Sequence, residues 1–182
     1  MVMTKLATAE DLAALPDDGF HRYELIRGEI REMSPAGGDH GRFAARMAAP
    51  LFKLQEDGIG EVLIADTGYF LEHDPQTVLA PDAAFMLADD LRPTGQERGF
   101  VQSVPALVVE VVSPSESMRE VLEKVDIYRR AGVRLIWVAF PRTKTMLVDG
   151  VGRERQTFGV GDTLDGSEVL PGLQLAVADV FR

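Results

Sequence analysis

Short apolar runs separated by turn-forming residues dominate the chain from residue 61 onward. The segments EVLIA, GYFLE, TVLAPDAAFML and ALVVEVV are rich in β-branched and aromatic side chains, which strands prefer. Two further runs, RLIWVAF at 134–140 and TKTMLVD at 143–149, continue the pattern. The sequence therefore predicts a series of short strands between residues 61 and 149.

The N-terminal part of the chain alternates differently. Thr8 has the spacing of a helix N-cap, and we expect a short helix that ends before Pro16. The segment YELIRGEIREM (23–33) consists of two alternating halves that meet at Arg27–Gly28. This pattern predicts a β-hairpin, followed by a loop at 34–38.

Two longer segments have a helical period. Residues 40–56 repeat apolar side chains at three- and four-residue steps. Residues 118–131 follow a capping box that begins at Ser117 and stop before Gly132. Since this second helix lies between two predicted strands, it predicts a parallel strand pair with a right-handed crossover.

Together these elements predict an α/β fold with a mixed central β-sheet flanked by helices and an N-terminal β-hairpin. After Gly150, the segment RERQTF, a turn-rich stretch and the segment LPGLQLAVADVFR together predict a terminal hairpin and a short closing helix. The length of 182 residues, with 46% hydrophobic and 26% charged residues, is typical of one globular domain over 1–182.

Composition excludes several classes of chemistry. The chain has no cysteine, which excludes disulfides, thiol catalysis and zinc–thiolate sites and is compatible with a reducing, cytoplasmic setting. No apolar run approaches the roughly 18 residues of a membrane span, so we expect no membrane partner. A net charge of −10 argues against tight nonspecific binding of a polyanion by the whole monomer. It leaves open a local basic groove or a carboxylate site that takes a divalent cation.

The carboxylate of Glu110 is anomalous, because it lies in the middle of the apolar segment ALVVEVV. A buried carboxylate is costly unless its pKa rises or a cation accompanies it. Asp82, after Pro81, begins the apolar run AAFML. If these two strands pair, both carboxylates reach one point, and such a pair of oxygen ligands suits Mg²⁺ or Mn²⁺.

Lys124 is a candidate partner for Glu110. It lies at the border of the apolar stripe of the predicted helix, from where a lysine stem can follow the core and bring its ammonium to the sheet edge. Two interpretations remain open from the residues alone, a metal site assisted by Lys124 and a structural salt bridge between Lys124 and Glu110.

At this point the sequence resembles the PD-(D/E)XK nuclease superfamily, in particular its bacterial branch of restriction-endonuclease-like proteins. The resemblance is carried by the ordered series PD at 81–82, EVVS at 110–113, Lys124 four residues before Tyr128, and RAGV followed by LIWVAFP at 130–141. It extends through YELIRGEI, MSP, His40 and LPGLQLAVADVF, over roughly residues 8–182. It implies a restriction-endonuclease-like core.

The chain departs from the general superfamily pattern at one position. There the lysine lies two residues after the acidic residue, where this chain has Val112. In the resembling branch the lysine is displaced onto the next helix, where Lys124 lies. Lys144, in a polar turn beyond the next strand, is a poorer substitute.

The resemblance also implies a chemistry. Asp82 and Glu110 are expected to hold Mg²⁺ or Mn²⁺, with the carbonyl of Val111 as a third candidate ligand, for hydrolysis of DNA phosphodiester bonds. Lys124 is expected to orient the attacking water or to stabilise the transition state. Glu29 and His40 are weaker catalytic candidates, and a homodimer is expected because duplex cleavage suits paired sites.

Two other functions compete with an endonuclease. One is a catalytically inactive protein of the same fold that regulates by binding nucleic acid or a partner. The other is a structural module whose acidic cluster binds a cation only for stability. The acidic net charge favours these two, whereas the joint presence of Asp82, Glu110 and Lys124 favours the enzyme.

Overall fold

The structure is a computed structural model, and it describes residues 6–16, 21–33, 37–92 and 99–182. The predicted loop at 34–38 lies partly outside these ranges. The helices are α1 (Ala9–Ala13), α2 (Gly38–Glu56), α3 (Met118–Ala131) and α4 (Val177–Val180). The first strands are β1 (Arg22–Ile26), β2 (Glu29–Met33), β3 (Gly60–Ile64), β4 (Tyr69–His73), β5 (Gln76–Leu79) and β6 (Ala83–Leu87). They are followed by β7 (Leu107–Val111), β8 (Leu135–Phe140), β9 (Thr145–Asp149), β10 (Gln156–Phe158), β11 (Thr163–Asp165) and β12 (Gln174–Ala176).

The central sheet has six strands in the order β10-β9-β8-β7-β6-β3. Strands β7 and β8 are parallel and are connected through α3, while the other neighbouring pairs are antiparallel. A parallel pair needs such a long connection, because a tight hairpin reverses the chain. The predicted mixed sheet and its parallel strand–helix–strand unit are confirmed.

The predicted N-terminal hairpin is also confirmed, and it belongs to a second sheet of order β2-β1-β5-β4. Its turn consists of Arg27 and Gly28, with φ angles of 50° and 79°. Two successive positive φ angles give the twist that a two-residue hairpin needs. At Gly28 a side chain would also collide with Leu6, since an added Cβ would lie 2.6 Å from the Cβ of Leu6.

The two long helices cover opposite faces of the central sheet. Met47 and Leu51 of α2 pack with residues of one face, including Phe85 and Val109. The other face packs against α3 and the N-terminal sheet in a second core, whose α3 residues are Val121, Val125, Ile127 and Tyr128. Alternation along β7 explains this division, because successive side chains point to opposite faces. Glu110 therefore shares the α3 face with Val108.

Helix α3 begins and ends where the sequence predicts. Ser117 and Glu120 form a reciprocal capping box, and Gly132 ends the helix in the left-handed conformation with φ 105°. At the C-terminus, β11 and β12 form a hairpin and α4 is the closing helix. The segment RERQTF is not part of this hairpin, because its strand β10 pairs with β9 in the central sheet. None of the helices in the described part of the chain is long and apolar enough to cross a membrane.

Candidate active site

A cavity of about 430 Å³ lies between the N-terminal sheet and the C-terminal end of β7. We call it the acidic cavity, because the residues that line it include Glu24, Asp82, Glu110 and Glu116, together with His40 and Lys124. These residues come from β1, α2, the β5–β6 connection, β7, the loop before α3, and α3 itself. The fold thus assembles the cavity from six separate segments of the chain.

Asp82 lies immediately before β6, which pairs with β7 in an antiparallel register. Extending the pairing of Ala83 with Val109 by one residue places Asp82 opposite Glu110. The backbone N–H of Val111 donates to Oδ2 of Asp82 at 2.8 Å. The Asp82 carboxylate therefore binds β7 just beyond the point where the pairing of β6 with β7 ends. The structure therefore brings Asp82 and Glu110 together, as their expected strand pairing predicts.

Glu110 is bound by a tyrosine. The hydroxyl of Tyr128 donates to Oε1 of Glu110 at 2.6 Å. Protein atoms surround this carboxylate closely, and the resulting desolvation raises the pKa of Glu110 from 4.5 to about 8, in opposition to the Lys124 ammonium. The carboxylates of Asp82 and Glu24 raise this pKa further. At neutral pH the cation-free site therefore retains a proton at Glu110.

Lys124 reaches the acidic cavity, and its side chain is only 8% exposed. Its Nζ atom lies 2.9 Å from Oε2 of Glu24 and 3.6 Å from Oε1 of Glu116. Glu110 attracts this ammonium electrostatically, but it accepts its hydrogen bond from the hydroxyl of Tyr128. The predicted pair of Lys124 with Glu110 is thus corrected: the direct ion pairs of Lys124 are with two other glutamates.

Burial and neighbouring charges act in opposite directions on the pKa values of Lys124 and Asp82. Burial lowers the pKa of Lys124, but the carboxylates of Glu110, Glu24 and Glu116 outweigh burial, and the net shift is upward. Burial also raises the pKa of Asp82, although nearby His40, the Val111 amide and Lys124 act in the other direction. Lys124 therefore stays protonated, while the carboxylates around it carry more negative charge than one ammonium offsets.

His40 lies in the first turn of α2 and reaches the cavity. Its Nε2 atom is 3.5 Å from Oδ2 of Asp82, and its side chain is 15% exposed. This places the imidazole beside the acidic pair, where it can contact an anionic ligand. The histidine expected at the head of this helix is thus brought to the site.

Glu29 is not brought to the site. It lies on the exposed side of the hairpin, where its Oε2 accepts from Nε and a terminal nitrogen of Arg31 at 3.2 and 3.0 Å. Lys144 is exposed in the turn between β8 and β9 and does not line the cavity. Of the two lysines weighed in the sequence, the structure places Lys124 at the acidic pair.

Three residues of this site escaped the sequence analysis as site residues: Glu24, Glu116 and Tyr128. Glu24 lies between Tyr23 and Leu25 in β1 and is 1% exposed. A carboxylate within an apolar strand was the signal that identified Glu110, and the same signal is present in YELI. Tyr128 belongs to the apolar face of α3, so the sequence pattern indicates a core residue and gives no sign that its hydroxyl binds Glu110.

The donors of the acidic cavity fit a hard divalent cation. Among the described residues, no three acidic or histidine side chains converge as a complete metal cage. Mg²⁺, however, is usually bound by one or two carboxylates together with waters and substrate phosphate. Asp82 and Glu110 supply two carboxylates. The carbonyl of Val111 points to the same side of β7 as its amide, which binds Asp82.

Comparison with known proteins gives a family and a fold. Residues 9–178 match the family described as "Uma2: Putative restriction endonuclease". The chain is also similar to the crystal structure of a putative nuclease belonging to DUF820 from Anabaena variabilis ATCC 29413. The TM-score is 0.83 at 17% identity, covering 96% of this chain and 97% of that chain. No curated protein matches the chain. The expected restriction-endonuclease-like fold is confirmed.

Proposed function

This chain belongs to the Uma2 family of restriction-endonuclease-like proteins, and we propose that it is a metal-dependent endonuclease that hydrolyses phosphodiester bonds of DNA. One observation carries the proposal. Asp82, immediately before β6, and Glu110 of the neighbouring strand β7 line one cavity together with the buried ammonium of Lys124. A purely structural ion pair needs neither the second carboxylate nor a cavity.

In this proposal Asp82, Glu110 and the carbonyl of Val111 hold Mg²⁺ or Mn²⁺. The bound cation would acidify a water molecule and offset charge on the phosphate. The protein contributes the position of its ligands, since the Val111 amide fixes Asp82 and the Tyr128 hydroxyl fixes Glu110. Ligands held in this way need no rearrangement before they bind.

Lys124 contributes positive charge where negative charge develops in the transition state. The carboxylates around it keep its ammonium protonated, and burial strengthens its interaction with an incoming phosphate. His40 lies beside Asp82, where its imidazole could contact the substrate phosphate or transfer a proton. Glu29 has no part in this arrangement, because it is exposed and paired with Arg31.

The wider proposal is a single domain over 1–182 that acts as a homodimer in the cytoplasm. The family match over 9–178 supports the single domain, and the lack of cysteine suits a reducing compartment. Two copies would give one site for each strand of a duplex. Light scattering of the purified protein tests this part, and a monomeric mass would remove the dimer.

A regulatory protein without catalysis is the second candidate. The net charge of −10 favours it, because DNA is attracted by basic surfaces. Against it, the chain retains Asp82, Glu110 and Lys124, which an inactive protein has no need to keep together. Such a protein would bind nucleic acid or a partner without nicking.

The experiment is metal-dependent nicking of supercoiled and single-stranded DNA by the full chain with Mg²⁺ or Mn²⁺. We expect Asp82→Asn to abolish nicking and Lys124→Met to lower its rate steeply, to a residual level that can still be measured. Two matched controls should keep it: Asp39→Asn, an exposed aspartate paired with Arg42, and Lys144→Met, the exposed turn lysine. Nicking at the wild-type rate in either site variant would refute the site.

Calorimetric titration with Mn²⁺ separates the candidates further. An endonuclease of the proposed kind binds the ion in the wild type and loses it in Asp82→Asn. Retained Mn²⁺ binding in a wild type that never nicks DNA would favour the regulatory protein or a cation-stabilised structural module.

A further inference from the structure

Glu24 is the most deeply buried carboxylate of the acidic cavity, at 1% exposure. It reaches the cavity from β1, which belongs to the N-terminal sheet rather than to the central sheet. A carboxylate this deep is stable only if the protein supplies compensating contacts. The structure supplies two, one to each oxygen.

The two oxygens of Glu24 contact different parts of the site. Oε2 lies 2.9 Å from the Nζ atom of Lys124. Oε1 accepts from the backbone N–H of Ala80 at 3.1 Å, and Ala80 is two residues before Asp82. One side chain therefore connects the catalytic lysine with the segment that carries the first metal ligand.

Lys124 needs such a contact because its stem is flexible. A lysine ammonium is a point charge on four rotatable carbons, so its own helix does not fix its direction. Glu116 gives a second contact, but at 3.6 Å and from a side chain that is 20% exposed. Glu24 is both closer and shielded from water, which makes it the stronger restraint.

We propose that Glu24 is a positioning residue that directs the Lys124 ammonium into the acidic cavity and ties it to the Asp82 segment. The proposal rests on the endonuclease function proposed above and assigns to the N-terminal hairpin a part in catalysis. Glu24 acts through Lys124, since its Oε2 forms the ion pair with the ammonium and its Oε1 accepts from the Ala80 amide.

A double-mutant cycle tests this assignment. We expect Glu24→Gln to lower kcat about 10–100-fold, as loss of an outer-shell partner does, with KM unchanged. In the Lys124→Met background the same substitution should cost nothing more, because a residue that acts only through Lys124 has no effect once the lysine is gone. Losses that multiply in the double variant would overturn the proposal.

Graded variants separate position from charge. Glu116→Gln should lower kcat less than Glu24→Gln, since its contact is longer and wetter. Glu24→Asp keeps the charge and should recover part of the lost kcat. Glu32→Gln removes an equal charge from an exposed position of the same hairpin and should leave kcat unchanged. Equal losses in Glu24→Gln and Glu32→Gln would refute a specific role.

Acylation of lysines gives a measurement that does not need DNA cleavage. With an N-hydroxysuccinimide ester and peptide mass spectrometry, Lys124 should react slowly in the wild type and several-fold faster in Glu24→Gln, relative to exposed Lys53. An unchanged relative rate would overturn the positioning role even if the protein nicks DNA. Conversely, a faster rate in a protein without nuclease activity would uphold the position and refute the function. If Glu24→Gln fails to fold, Glu24→Asp serves in both measurements.

Discussion

Two buried charged clusters lie against α3 on the same face of the central sheet, and they are built in opposite ways. In the first, four carboxylates of the acidic cavity share the single ammonium of Lys124. In the second, the single carboxylate of Asp149 is shared by two arginines, Arg129 at 2.9 Å and Arg155 at 2.6 Å. Both clusters contain an acid with little contact to solvent, and the first of them lines the cavity of about 430 Å³.

The second cluster is complete in itself. Asp149 is fully buried, and its Oδ1 also accepts from the backbone N–H of Gly150 at 2.6 Å. Arg155 continues outward to Asp126. Every charge there has a partner of opposite sign, which is the composition of a structural ion-pair network.

The acidic cavity is incomplete by the same measure. Burial, together with the carboxylates of Asp82 and Glu24, raises the pKa of Glu110 to about 8 against the opposing Lys124 ammonium. The excess negative charge can be offset by a proton or by a divalent cation. Burial alone therefore does not identify a functional carboxylate. An uncompensated local charge beside open space identifies it better.

The largest expected effect separates the clusters by activity. Glu110→Gln should lower metal-dependent nicking at least ~100-fold, because it removes a ligand from the reacting centre. Asp149→Asn should leave kcat unchanged per folded molecule. Plasmid nicking, normalised to the folded fraction, measures both, and a comparable loss of kcat in Asp149→Asn would erase the distinction.

Stability should give the reverse order. Asp149→Asn weakens three hydrogen bonds to a buried carboxylate and should lower the free energy of unfolding by about 2 kcal/mol. Denaturation in urea measures the loss. The exposed neighbour Asp126, which is also paired with Arg155, provides the control: Asp126→Asn should cost less than about 1 kcal/mol.

The pH dependence of stability should sharpen the contrast further. The folded state keeps a proton on Glu110 up to about pH 8, whereas an unfolded glutamate loses it near 4.5. Between these values the folded state binds more protons, so the stability of the cation-free protein should fall as pH rises through this window. Urea denaturation in the presence of a chelator, at pH 5 and pH 8.5, measures this fall. Glu110→Gln should reduce the fall, and an unchanged slope would contradict the shifted pKa.

The smallest expected effect concerns the Tyr128 hydroxyl. Its hydrogen bond favours the ionised form of Glu110 and so lowers the pKa of this residue. Tyr128→Phe should therefore raise that pKa and move the upper end of the pH window of stability loss above its wild-type position. At pH 5, where Glu110 is protonated in both proteins, the cost should be no more than about 1 kcal/mol. A downward movement of the transition would show that the hydroxyl does not stabilise the carboxylate.

Much of the fold was predictable because its determinants are local. The period of residues 118–131, the capping box of Ser117 and the turn at Arg27–Gly28 each fix an element within a few residues. The parallel pair β7–β8 followed from the helix between two buried strands. The pairing of β6 with β7 then brought Asp82 to Glu110, as the apolar segments around them suggested.

The sequence by itself determined which elements form and that a carboxylate in ALVVEVV required compensation, because periodicity and the cost of burying charge are properties of local sequence. Only the tertiary structure decided which groups supply that compensation. Glu24 lies in β1, 100 positions before Lys124 of α3, and the two meet at 2.9 Å. No periodic pattern connects such residues, since their distance depends on how two sheets and a helix pack.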